Sequence, residues 1–180
     1  MSRPRLAAAS ALALPALLGA IAIVPPAGAT DVRPYVCAGP TIPVGMPEMS
    51  RGFGVGVGME AETSKRVRAV LRIDMHRMPV DNPIGYVSPS GLEVTAFTWS
   101  LGARAYLVTH GPIRPYADGG VAMRAGGRPD WDGLAMVMRL GISTAQPGGP
   151  GIFLDAGRDL WVEGPDRPRI LTARLGVVLP

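Results

Sequence analysis

From residue 53 to residue 76 the chain alternates strictly between two kinds of side chain, on both sides of the turn Thr63-Ser64-Lys65-Arg66. In the first arm Phe53, Val55, Val57, Met59 and Ala61 alternate with Gly54, Gly56, Gly58, Glu60 and Glu62. In the second, Val67, Ala69, Leu71, Ile73 and Met75 alternate with Arg68, Arg72, Asp74 and His76, and Val70 is the exception. A period of two is the signature of a strand, because successive side chains leave opposite faces of the pleat; a helix would scatter the same residues around its axis. The two arms therefore predict a hairpin with one apolar face and one face of small or charged residues.

The same alternation recurs along the chain. Residues 35–43 predict a first strand that is bent or weakly paired at Pro40, which has no amide to donate. Residues 93–107 set Phe97, Trp99, Leu101, Ala103, Ala105 and Leu107 against Thr98, Ser100, Gly102 and Arg104. Residues 114–125 place Arg114, Asp118, Gly120 and Arg124 opposite Ala117, Val121 and Met123. Strands follow at 134–143, with Arg139 on the polar parity, and at 152–163, with Asp155, Gly157, Asp159 and Glu163. The last, 169–179, carries Thr172, Arg174 and Gly176 on that parity. Arg158 falls on the apolar side. The links are rich in Pro and Gly, the longest being residues 77–91. The expected fold is all-β: eight antiparallel strands in an up-and-down meander, the number at which a sheet closes around an interior that side chains fill.

Residues 1–29 begin with Arg3 and Arg5, continue through an apolar run and end in small residues around Ala27 and Ala29. This is the pattern of a secretory signal peptide, which leaves residues 30–180 as one barrel domain. Subtracting Arg3 and Arg5 from 18 basic residues leaves 16 against 14 acidic ones. The exported part is then nearly neutral and nothing in it calls for nucleic acid. Cys37 is the lone cysteine, so it is expected to be a packed free thiol and the fold must hold without an internal disulfide.

Alternation alone fits two barrels. A soluble one turns its apolar face inward, and a transmembrane one turns it to lipid. A solvated face would be rich in Lys, Gln and Asn, yet Lys65, Gln146 and Asn82 are the only ones and all lie in turns or loops. The polar parity instead holds small residues and a balanced set of charges. These are Glu60, Arg68, Arg72, Asp74, Arg104, Arg114, Asp118, Arg124, Arg139, Asp155, Asp159 and Arg174. Buried charges persist when paired and hydrogen-bonded, so this set predicts a charge-paired lumen inside a membrane barrel. Tyr35, Tyr106, Tyr116 and Phe153 near one set of strand ends suggest an interfacial girdle, although the last three share the polar parity. Outer-membrane lipid and the export and barrel-assembly machinery are the partners such a chain would meet.

Three stretches carry a family likeness. They are Gly52-Phe53-Gly54-Val55-Gly56-Val57-Gly58 with Ser64-Lys65-Arg66, then Leu101 to Leu107 with Gly111 to Ala117, and the closing Arg174-Leu175-Gly176-Val177. In order and spacing the chain resembles the OmpA/OmpX/OmpW-like outer-membrane β-barrel domains over nearly all of residues 30–180. The resemblance implies an integral envelope component of the bacterial outer membrane.

No cofactor or metal is expected, since two histidines at opposite ends and one cysteine do not make a ligand set. His76 beside Asp74, with Ser88 and Ser90 in the next loop, can be drawn as a catalytic triad, but a histidine at the barrel rim accounts for it more simply. The reading is thus a non-catalytic envelope barrel. The alternatives are a narrow solute pore, a lipid-modifying enzyme and a soluble barrel for an apolar ligand.

Overall fold

Among the described residues eight strands, each hydrogen-bonded to the next and the last to the first, form a closed barrel. The structure is a computed structural model describing residues 31–46, 49–80, 93–126, 132–144, 149–161 and 169–180. The leader expected at 1–29, Asn82, Ser88, Ser90, Gln146 and Glu163 lie outside the described residues. The strands are β1 Val32–Val44, β2 Gly52–Glu62, β3 Val67–Pro79, β4 Glu93–Tyr106, β5 Arg114–Ala125, β6 Gly133–Ser143, β7 Gly151–Trp161 and β8 Arg169–Val178. All neighbours are antiparallel, and the seam closes by pairing Tyr35 of β1 with Val178 of β8. The fold is the expected meander barrel.

The start of β1, the end of β8 and the β2–β3, β4–β5 and β6–β7 links share one end, the terminal rim. The other four links form the distal rim. At the β2–β3 turn the Thr63 and Ser64 amides donate to the Val67 carbonyl, and the Ser64 hydroxyl accepts from the Val67 amide at 3.1 Å. This local closure fixes the register in which Ala61 faces Ala69.

Register decides which side each parity sees. The apolar parity faces outward: Leu101, Met138, Leu140 and Leu175 are 57 to 70% exposed. The polar parity faces in, where Glu60, Arg72 and Arg104 have no accessible surface. A soluble barrel needs the opposite arrangement.

Pro40 behaves as its chemistry requires. It keeps its place opposite Phe53 in the β1–β2 ladder, but the β1–β8 ladder passes from Ala38↔Leu175 to Thr41↔Thr172 and skips Gly39 and Pro40. Two strand limits differ from expectation. β1 begins at Val32 rather than at residue 35, and β3 runs on to Pro79 rather than ending at His76.

The glycines of the polar parity have a packing role. Tyr35 lies directly across from Gly58, Tyr116 from Gly141 and Phe153 from Gly176. In each case a Cβ on the glycine would run into the facing ring. A narrow interior accommodates large side chains only if their cross-strand neighbours have none.

Candidate functional site

The interior is a column of charged and aromatic side chains, and it can be followed from one rim to the other. Near the terminal rim Glu60 collects three guanidinium groups. Arg33 Nη2 and Arg68 Nη1 donate to its Oε1 at 2.9 and 3.2 Å, and Arg104 Nη1 donates to its Oε2 at 2.9 Å. Arg68 Nη2 also donates to Asp31 and Glu62 at 2.9 and 3.0 Å. Arg33 and Asp31 were not among the residues expected here, because the first strand was started too late to bring Arg33 into the alternation.

Above this, Arg104 lies 4.1 Å over the Tyr116 ring and reaches Asp118 at 3.3 Å. Arg72 Nε donates to the Tyr35 hydroxyl at 2.8 Å, with Nη2 3.6 Å from both Asp118 and Asp155. The Tyr116 hydroxyl donates to Asp155 at 3.2 Å, and Tyr35 meets Phe153 edge to face at 5.6 Å. Tyr35, Tyr106, Tyr116 and Phe153 are all buried inside the barrel. They therefore form no girdle at a lipid interface, because their parity, set by the strand register, points them inward.

Next, Arg174 bridges Asp74 and Asp155 at 3.0 Å each, and Arg139 Nη2 lies 3.6 Å from Asp74 Oδ2. Cys37 is a buried free thiol beside this layer. Higher still, Arg124 pairs with Asp159 and contacts Thr98. His76 is not at the rim: it is 2% exposed, with Nδ1 3.0 Å from Thr41 Oγ1. It is inside because β3 continues for three more residues.

The column ends at the distal rim in an apolar cluster of Met46, Met49, Met78, Ala96 and Ile170, with Val94 packed against it. Met46 and Met49 come from the β1–β2 link, where Met49 bridges to Val80 beyond β3. Period-two reading could not find them, since they belong to no strand. Their one signal was a pair of methionines in a short link where polar residues are usual.

Of the twelve charged residues expected in the lumen, eleven meet an oppositely charged group inside it. Arg114 is the exception. Its guanidinium carbon lies 4.6 Å over the Tyr106 ring, and among the described residues it makes no ion pair.

No family model and no curated protein matches the sequence. Solved structures do match in shape. The Neisserial surface protein A structure superposes with a TM-score of 0.62, at 14% identity, over 84% of this chain and 98% of that one. The fold is that of the small outer-membrane barrels. The N-terminal barrel domain of Pseudomonas aeruginosa OprF matches at a TM-score of 0.52 and 15% identity, over 83% of this chain and 97% of that one. A de novo designed transmembrane β-barrel matches at 0.50 and 9% identity, over 82% and 93%. At such identities the likeness concerns how the outer-membrane barrel is built, and its individual side chains are this chain's own.

Proposed function

We propose that the protein is an integral outer-membrane barrel, exported by its N-terminal leader, that serves as a non-catalytic envelope component with a plugged lumen. One observation carries the reading: an apolar belt runs round the outer wall, broken by few charges such as Arg77, Glu93 and Arg158, while the charges of the opposite parity are inside. Val36, Val57, Leu101, Val121, Met138, Leu154 and Leu175 sit on seven different strands and are all at least 47% exposed. β3 completes the belt with Leu71, Ile73 and Met75. A continuous apolar surface of this extent is stable against acyl chains and unstable against water. A closed barrel also leaves no unpaired strand edge in the hydrocarbon.

The lumen favours plugging over conduction. Guanidinium–carboxylate pairs cross it at several heights, and the buried methionine cluster packs toward its distal end. In the usual orientation of such barrels the terminal rim faces the periplasm and the distal rim the outside. His76, with its ring nitrogen engaged by Thr41, is enclosed and poorly placed to meet a lipid substrate.

The test is fractionation of cells producing the full chain, followed by carbonate washing. The expected protein stays with the outer membrane, dissolves in detergent and migrates faster on a gel before boiling than after. Release by carbonate into the soluble fraction would overturn the assignment.

A further inference from the structure

Among the described residues the lumen holds one more arginine than it has carboxylates to match. Eight arginines line it (Arg33, Arg68, Arg72, Arg104, Arg114, Arg124, Arg139 and Arg174). The carboxylates are seven: Asp31, Glu60, Glu62, Asp74, Asp118, Asp155 and Asp159. The surplus has a definite place. Every one of these arginines except Arg114 is within ion-pair distance of an acid.

Arg114 is 4% exposed, and its Nε and Nη2 atoms are enclosed without a hydrogen-bond partner. The Tyr106 hydroxyl, on the ring that supports it, is likewise buried and unpartnered. An enclosed guanidinium with open donors is costly, since each lost water contact goes unreplaced. Other lumen arginines, such as Arg72 and Arg139, also have enclosed donors without a hydrogen-bond partner, but each lies near a carboxylate; Arg114 is set apart by having none among the described residues.

What Arg114 faces is a cavity of about 420 Å³ at the terminal rim, lined by Glu62, Lys65, Arg68, Thr109, His110, Gly111 and Arg114. Two links build it. The β2–β3 turn supplies Lys65, and the β4–β5 link supplies Thr109, His110 and Gly111, whose φ of 104° suits glycine. Glu62 and Arg68 are bonded to each other at 3.0 Å, and Arg68 is further held by Asp31 and Glu60. Their charges are satisfied within the protein. That leaves Arg114 at the inner end and exposed Lys65 at the mouth as the uncommitted cations, with the His110 ring beside them.

We propose that this cavity binds a small oxyanion, a carboxylate or phosphate group carried on a larger molecule, gripped by Arg114 and steered in by Lys65. A planar guanidinium with no carboxylate partner among the described residues matches the paired oxygens of either group. The cavity has room for the atoms that carry the anion. The site is described by its own side chains and does not depend on which membrane the barrel occupies.

The experiment is an NMR titration of the full barrel folded in detergent micelles, following the arginine Nε–H and tyrosine signals. Sodium phosphate and sodium acetate are the probes, each compared with chloride at equal ionic strength. The expected result is a saturable shift of the Arg114 Nε–H signal, with R114Q weakening binding at least about tenfold, the worth of one charge-assisted pair. Saturation by phosphate alone assigns a phosphate group, and saturation by acetate alone a carboxylate. Shifts that stay linear and match chloride would overturn the site, as would saturable binding undiminished in R114Q. If R114Q does not fold, the wild-type Nε–H response decides. Both arms are read in micelles, so a failed membrane fractionation and a failed titration are separate results.

Discussion

Glu60 shows how much of this interior hangs on single atoms. It has no accessible surface and holds three arginines that come from β1, β3 and β4. Removing one partner of a buried ionic cluster leaves the others charged and uncompensated, at a cost of about 3–5 kcal/mol. Glu60→Gln keeps the shape and loses the charge, so unfolding in urea from micelles should show a loss near the lower end of that range. Arg77 pairs with Glu93 on the outer wall, where both side chains are well exposed. Arg77→Ala should cost less than about 1 kcal/mol in the same assay. Equal effects of the two substitutions would mean that the interior is wet enough to screen its charges.

At the scale of the strand, the sequence is informative about faces and silent about partners. Alternation assigns Arg72, Asp74, Arg104 and Arg174 to one surface of the sheet, because the pleat leaves no other choice. That Arg174 reaches Asp74, a hundred residues earlier, follows from curling the sheet until β3 and β8 face each other. No local pattern encodes that. Ends of strands were the weaker part of the reading: Arg33 and His76 were misplaced because β1 and β3 run beyond the segments of clearest alternation. The Gly-x-Gly rhythm was legible as crowding, but which ring each glycine admits required the register. Gly141 gives the sharpest test, since a methyl there meets Tyr116 and the Leu154 carbonyl. Gly141→Ala should destabilise the barrel by about 1–3 kcal/mol, the usual cost of overfilling a packed interior. Gly119 meets only a distant carbonyl at 3.8 Å, and its alanine variant should unfold as the wild type does.

For the molecule as a whole, the arrangement of charge and apolar surface sets what can pass. Ionic groups meet across the lumen at successive heights, and five buried apolar residues cluster toward its distal end. On the plugged reading proposed above, a hydrated ion would have to displace guanidinium–carboxylate contacts to pass. Reconstituted in a planar bilayer, the folded protein should show no steady single-channel steps above the bare-membrane baseline. Reproducible ohmic conductance would mean that the column opens on a timescale that carries current.

The seam between β1 and β8 bears on how such a molecule comes into being. Tyr35 and Val178 are neighbours across it, so the ring closes only once β8 is in place beside β1. Every earlier arrangement is an open ribbon with two free edges and a charged concave side. For the membrane location proposed above, β1 and β8 then have to be brought together close to the moment of insertion, because hydrocarbon leaves a free strand edge unsatisfied.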